Sequence, residues 1–309
     1  MTCFHCDLKE PDRLFVAIRR DKLFSVNIRF AEEELTRMPK QMITTLDTGD
    51  VAKYVLISGE PERIPKIAAA LKNPKKKICV REYAIYEGLI EGKRVTVAST
   101  GIGGPSTAIL IEELANLGAD TFVRIGTSGG IADGLEKGDF VISTAAIRAD
   151  GTSRSYVWPE YPASANHEVT LALIRAAMKS KARFAVGVTF SVDGFYPENK
   201  VLGENGSLIS MSHGGYMLRE SESRLRDVKM MGAKNIEMEN ATLFTLGNLF
   251  GLRTGAICIV SDVVPWHPTD KIIDFEKNMG KCIQIGVEAL RTLIRWDKQK
   301  GRARYWVPR

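Results

Sequence analysis

The sequence predicts an α/β fold, one domain with a central β-sheet flanked by helices behind an N-terminal extension. Three observations predict it. From Val51 to Trp296 short apolar runs alternate with amphipathic stretches, strand with helix. The apolar runs close on Ser-Gly or glycine-rich segments, such as Ser58-Gly59 and Gly126–Gly130, where a buried strand must turn. Neither an internal repeat nor a linker divides the 309 residues, a length that one large domain accommodates.

Residues 1–38 are charge-rich, include Glu32-Glu33-Glu34, and form the extension; residues 39–298 form the domain and 299–309 a C-terminal tail. Tyr54–Ile57 is a buried strand, and Pro61 and Glu62 open a helix through Leu71. Ile78 to Glu87 alternates, turns at Glu91-Gly92-Lys93 and returns over Arg94–Ala98 as a hairpin. A helix over Ala108–Leu117 leads to a strand at Thr121–Ile125, and Phe140–Ile147 is a further strand. Glu168–Lys179 is an amphipathic helix and Phe184–Ser191 a strand. Glu198 to Tyr216 has no clear period and reads as a long loop, the kind that often binds ligands. Glu239–Phe250 is a helix, Thr254–Ser261 a buried strand and Asp274–Trp296 a long C-terminal helix.

Composition excludes several function classes. The chain is 44% hydrophobic and 26% charged, within the globular range. No stretch approaches the roughly 20 apolar residues of a membrane helix, and Met1–Phe15 lacks the pattern of a secretory signal. Five scattered cysteines fit a reducing compartment, so a cytoplasmic protein is expected. Cys258, in the run Ala256–Val260, is expected to be a buried thiol. Cys3, His5 and Cys6 are half a metal site at most; structural zinc takes four ligands, so no metal is expected. The net charge of +6 is spread along the chain, and Lys75-Lys76-Lys77 reads as a solvated loop without interleaved aromatics. Attraction for small anionic substrates is expected, and no nucleic acid.

Gly101-x-Gly103-x-x-Ser106 follows a strand and opens a helix. As a dinucleotide-binding turn it is weak: Ser106 replaces the third glycine, and Asp120 precedes the next strand where the ribose-binding acid should follow it. A tight turn with Pro105 in the first helical turn, or a close backbone approach to a ligand, accounts for it as well. The longer segment Ser99–Ile109, followed by Glu113-Leu114, resembles the signature of the nucleoside phosphorylase-I family in its uridine phosphorylase form. Further segments resemble that family in order: Gly59–Arg63, Arg81-Glu82-Tyr83, Arg124–Gly129, Asp150–Ser153 with Tyr161–Ala163, Asp193–Tyr196 and Ile236–Asn240. The resemblance runs from about Met42 to Lys298.

The resemblance implies a central mixed, twisted β-sheet flanked by helices and an enzyme that splits a ribonucleoside with inorganic phosphate. Phosphate is then a co-substrate, and no cofactor is expected. The nucleophile is an anion and needs cationic clamps in a dry site. Arg63 and Arg124 offer the planar fork that fits phosphate, Gly59 a backbone N–H and Thr127 a hydroxyl. Arg81 would come from a neighbouring subunit, which implies a homo-oligomer, a dimer or a hexameric trimer of dimers. Glu239 would accept from the ribose hydroxyls, with Thr127, Glu237 and Met238 beside the sugar. Ser128, Gly129, Phe195, Asn199 and Asp262 would meet the base, Phe195 by stacking. From the residues alone, Glu239 is also an acid at a helix start, Phe195 a core aromatic and Asp262 a strand-end cap.

Two departures from the family pattern stand out. The family's histidine for a neighbour's 5′-OH is missing from Gln41–Thr45, so the 5′ end is held differently or His5 supplies the group. The glutamine and arginine that read uracil are absent from Pro197–Val201, where Asn199 partly replaces the first and Val201 cannot replace the second. Val260-Ser261-Asp262 instead resembles the purine branch, where the aspartate donates to N7 and must be protonated, as burial favours. Uridine is favoured by the chain as a whole, purine nucleosides by these pocket residues. A hydrolytic nucleosidase would not need the three arginines, and a non-catalytic nucleoside binder would not need both Arg124 and Glu239.

Overall fold

A computed structural model describes residues 40–267, 273–301, 303 and 307. Cys3, His5, Cys6 and Glu32–Glu34 lie outside the described residues. The elements begin β1 (Tyr54–Ser58), α1 (Arg63–Ala68), β2 (Lys72–Val80), β3 (Tyr83–Ile90), β4 (Lys93–Ser99), α2 (Gly104–Asn116), β5 (Thr121–Gly130) and β6 (Phe140–Ala149). There follow α3 (Thr152–Tyr156), β7 (Ala163–Ser164), α4 (His167–Lys179), β8 (Phe184–Val192), α5 (Phe195–Glu198), β9 (Lys200–Leu202) and β10 (Leu208–Ser210). The last are α6 (Arg219–Met230), β11 (Asn235–Glu237), α7 (Asn240–Leu249), β12 (Arg253–Val263) and α8 (Phe275–Lys300).

The main sheet runs β11-β8-β6-β12-β5-β1-β4-β3-β2, and β11 also pairs with β5. It is mixed: β1 is parallel to β4 and β5, and β12 is parallel to β5 but antiparallel to β6. Because β11 bonds to both β8 and β5, the sheet curls back on itself and closes at that end. The central strands are buried on both faces, which is why they read as continuous apolar runs. In β1 the faces alternate: Leu56 joins the core under α1, α4 and α8, while Val55 and Ile57 join the core under α2 and α7.

The sequence-based elements need four corrections. Residues 126–130, expected to turn after a strand ending at Ile125, continue β5 to Gly130, where they pair with β12 and β11. Ile78–Glu87 is two strands, β2 and β3, because Arg81 takes a positive φ of 51° and the chain reverses there. The lysines expected in a solvated loop lie on β2, the outermost strand of the sheet; Lys75 and Lys76 are exposed, and edge charges of this kind oppose pairing with other chains. The long loop after Glu198 contains the β9–β10 hairpin, and it leads to α6, to which no sequence signal pointed. Only Ser221, Leu225 and Val228 of α6 are buried, too narrow an apolar stripe to reveal a helix.

At the N-terminal end of β12, α8 is clamped by charge. Arg253 on β12 donates from Nη1 and Nη2 to Asp297 at 2.7 Å each, and from Nη1 to Glu168 at 2.9 Å. Lys300 Nζ reaches the other Glu168 oxygen at 2.5 Å, which accompanies the extension of α8 past the expected end at Trp296. Burial opposes ionisation of Glu168, but bonds from Lys300 and Arg253 outweigh it and lower its pKa. For Asp297 burial is likewise outweighed, by Arg253 and Tyr54. Carboxyls with lowered folded-state pKa values stabilise fully above the ordinary range near about 4 and lose that contribution as pH falls through the folded values. Urea unfolding at a series of pH values should show this acid limb, and Arg253→Met should flatten it. An equally steep limb in the variant would place its origin elsewhere.

Candidate functional site

The site forms where the sheet closes. β5 brings Arg124 through the apolar centre of the fold, and the guanidinium is 3% exposed. Its Nη2 pairs with Glu239, and its Nη1 lies 3.0 Å from Glu237 Oε2. Nη1 also approaches Cys258 Sγ at 3.0 Å and Asn240 Oδ1 at 3.2 Å. Burial works against the charged form, yet the charges of Glu239 and Glu237 outweigh it and raise the arginine's pKa. The Cys258 thiol is itself pushed up to about 11, chiefly by burial, so it is neutral at physiological pH. At Gly126 a Cβ would sit 2.7 Å from the Arg124 guanidinium carbon, so a side chain there would displace it.

The acids divide the work at the start of α7. Glu239 was an acid at a helix start by sequence, but its carboxylate makes no cap bond to α7. Glu239 Oε1 instead accepts from the backbone N–H of Gly103 at 2.6 Å, at the N-terminus of α2. Gly103 has a φ of 87°, which a side chain would rarely adopt. The capping acid is Glu237, whose Oε2 accepts from the N–H groups of Glu239 at 2.9 Å and Asn240 at 3.0 Å. Burial pushes the Glu237 carboxyl up, with Arg124 opposing.

Arg63, at the start of α1, is a second buried arginine, 4% exposed. It donates from Nη1 to Ser58 Oγ at 2.9 Å, and its Nη2 is 2.7 Å from Glu60. Asp262 is re-aimed by a bulge in β12: the register with β5 slips between Val260 and Asp262, so Ser261 is the extra residue. Ser261 Oγ lies 2.6 Å from Asp262 Oδ1. Asn199 Nδ2 donates to the Phe195 carbonyl at 2.8 Å, and Phe195 stands 52% exposed in edge contact with Tyr196, so it is not a core aromatic.

Gly59, Arg63, Arg124, Thr127, Ser128, Gly129, Phe195, Asn199, Glu237, Met238, Glu239 and Asp262 all line one cavity of about 200 Å³. Arg81 does not line it; it sits exposed on the turn between β2 and β3. Nor does any residue of Gln41–Thr45, a turn pinned by Glu113, which accepts from the N–H groups of Ile43 and Thr44 at 2.7 Å each. Sequence reasoning missed Glu60, Ile102, Gly126, Val192, Ile236 and Ser261 on the cavity wall, and Asn240 and Cys258 behind Arg124. Glu60 and Ile236 stand inside segments already singled out, so adjacency was a usable signal. Val192 precedes one such segment and carries no sign of its own. Among the described residues, no group of three or more His, Cys, Asp or Glu is placed to hold a metal, and no helix is long and apolar enough to cross a membrane.

A buried arginine flanked by carboxylates, a second buried arginine and an exposed aromatic around one cavity, on a mixed sheet that curls closed, mark a small-molecule enzyme of the α/β class. The chain belongs to the phosphorylase superfamily, whose family description matches residues 53–295. It is 42% identical over 280 residues to a uridine phosphorylase of Thermococcus kodakarensis, covering 90% of this chain and 96% of the relative. It is 39% identical over 246 residues to the uridine phosphorylase of Escherichia coli, covering 79% and 93%. A guanosine phosphorylase of Halorubrum lacusprofundi is 35% identical over 223 residues, covering 72% and 83%.

Proposed function

We propose that this protein is a nucleoside phosphorylase, a pentosyltransferase that cleaves uridine to uracil and ribose 1-phosphate, reversibly and with inorganic phosphate as co-substrate. The carrying observation is the convergence of Arg63, Arg124 and Glu239 on one cavity with Phe195 at its wall. In this reading Arg63, Arg124, the Gly59 N–H and Thr127 hold phosphate, and Arg81 is supplied by a second copy of the chain. The active unit is then a homo-oligomer, a dimer or a trimer of dimers. Glu239 exchanges its pairing with Arg124 for the ribose hydroxyls, and Met238 packs against the sugar. Glu237 completes the sugar end by holding the backbone that carries Glu239. Phe195, Asn199, Ser128 and Gly129 receive the base.

A phosphate oxygen forms the new bond to C1′ as the C1′–N bond breaks. The base leaves with the bond electrons and takes up a proton. The buried cations stabilise the attacking anion in a site screened from water. No cofactor enters this chemistry. The cytoplasm is the proposed compartment, given free thiols at Cys79, Cys258 and Cys282.

A second reading, a purine nucleoside phosphorylase, is favoured by Asp262 on the cavity wall and by the guanosine-cleaving relative. Uridine, thymidine, inosine, guanosine and adenosine, each with and without phosphate, separate the readings by base release. Turnover that ignores phosphate would point to a hydrolase, and binding without turnover to a non-catalytic protein.

The sugar contact carries its own prediction. Glu239→Gln should weaken ribonucleosides more than 2′-deoxyribonucleosides. A hydrogen bond to a charged group contributes about 1.5–3 kcal/mol, so the ribo/deoxy ratio of kcat/KM should fall roughly tenfold or more. Initial rates on uridine and 2′-deoxyuridine measure it, and an unchanged ratio would move Glu239 away from the sugar.

A further inference from the structure

We propose that Asn240 is a positioning residue for phosphate, the first link of a buried hydrogen-bond chain that holds Arg124 from behind. Arg124 Nη1 donates to Asn240 Oδ1 at 3.2 Å, and Asn240 Nδ2 donates to Ser143 Oγ at 3.1 Å. Ser143 Oγ lies 2.5 Å from Thr189 Oγ1, which donates onward to Asn235 Oδ1 at 2.7 Å. Thr189 has one proton, committed to Asn235, so Ser143 donates to Thr189 and every link points away from the arginine. Asn240, Ser143, Thr189 and Asn235 are each 0% exposed. They come from α7, β6, β8 and β11, the elements of the curled end of the sheet.

Burying polar side chains is costly unless they are bonded, and a bonded chain is stiff. What this chain offers Arg124 differs from what the acids offer. Glu237 and Glu239 attract the guanidinium but cancel its charge, and Glu239 is the group proposed to turn to ribose. Asn240 is neutral. It fixes the inner edge of the guanidinium without competing with phosphate for its charge. Without it, Arg124 would settle further onto the two carboxylates and present a weaker field to the anion.

The inference rests on the reading of Arg124 as a phosphate clamp, so the test treats the two separately. Phosphate binding is titrated calorimetrically, without nucleoside, into wild type, Arg124→Ala, Asn240→Leu and Ser143→Ala. Initial rates then give KM for each substrate. Asn240→Leu should raise the phosphate Kd and KM roughly tenfold, with the nucleoside KM little changed. Ser143→Ala leaves every direct contact of Arg124 in place, so it should shift phosphate in the same direction by less. It also decides the matter if Asn240→Leu does not fold. Unchanged phosphate affinity in Ser143→Ala overturns the chain, and unchanged affinity in both overturns the role of Asn240. Phosphate and nucleoside KM rising together with a fall in Tm would mean loosened packing and also overturns it. If Arg124→Ala binds phosphate as wild type does, the clamp reading itself is wrong.

Discussion

Arg124→Ala should lower phosphate-dependent base release by about 10²–10³-fold or more, the loss expected when a preorganised charge is removed from the developing anion. The structure adds a consequence. Arg124 lies between Glu237 and Glu239, both buried, so alanine leaves two carboxylates facing each other without a cation. Removing one partner of a buried ion pair costs about 3–5 kcal/mol, so this variant should also melt at a lower temperature. Arg124→Lys separates the effects. It keeps a charge near both acids but lacks the planar fork, so it should recover most of the stability and little of the activity. Thermal melts beside initial rates at saturating phosphate test this. Wild-type turnover in either variant would remove Arg124 from the phosphate site.

Asp262→Asn should depress inosine and guanosine cleavage by about 10²–10⁴-fold if Asp262 delivers the proton to N7, the range for a positioned general acid. Uridine has no N7, so its cleavage should change little. The bulge at Ser261 and the close Ser261 hydroxyl place this carboxyl on the cavity wall with a fixed aim. Parallel rates on uridine and inosine have three informative outcomes. A selective loss on purines assigns the acid. An equal loss on both makes Asp262 a support of the pocket. Wild type that cleaves uridine and ignores inosine leaves uracil to be read by Asn199 or by the segment over 198–216.

The two variants rest on different kinds of legibility. Arg124 was conspicuous in the sequence because a cation inside an apolar strand run has no cheap explanation. Asp262 followed a strand, where an acid is ordinary, and only its neighbours Val260 and Ser261 made it suspect. Glu237 and Glu239 were visible as a pair, but not which of them caps α7, since both occupy the start of a helix and the choice depends on where Gly103 and Arg124 lie.

The sequence by itself determined the alternating α/β plan and the buried central strands, and with the family resemblance it gave most of the cavity wall but not Glu60, Ile102, Gly126, Val192, Ile236 or Ser261. Apolar periodicity and local motifs are properties of short stretches, and short stretches carry them intact. The tertiary structure decided what depends on distant partners. It set the break at Arg81, where a turn interrupts a run that alternates without a gap. It set α6, a helix whose few apolar residues count only because a core lies beneath them. It decided that Arg81 stays outside the cavity of its own chain, whereas the other site residues converge on it. It also set the chain from Arg124 to Asn235, in which each residue bonds to one far away in sequence. A hydrogen bond needs its donor and acceptor within about 3 Å, and only the curl of β11 onto β5 and β8 brings those residues that close.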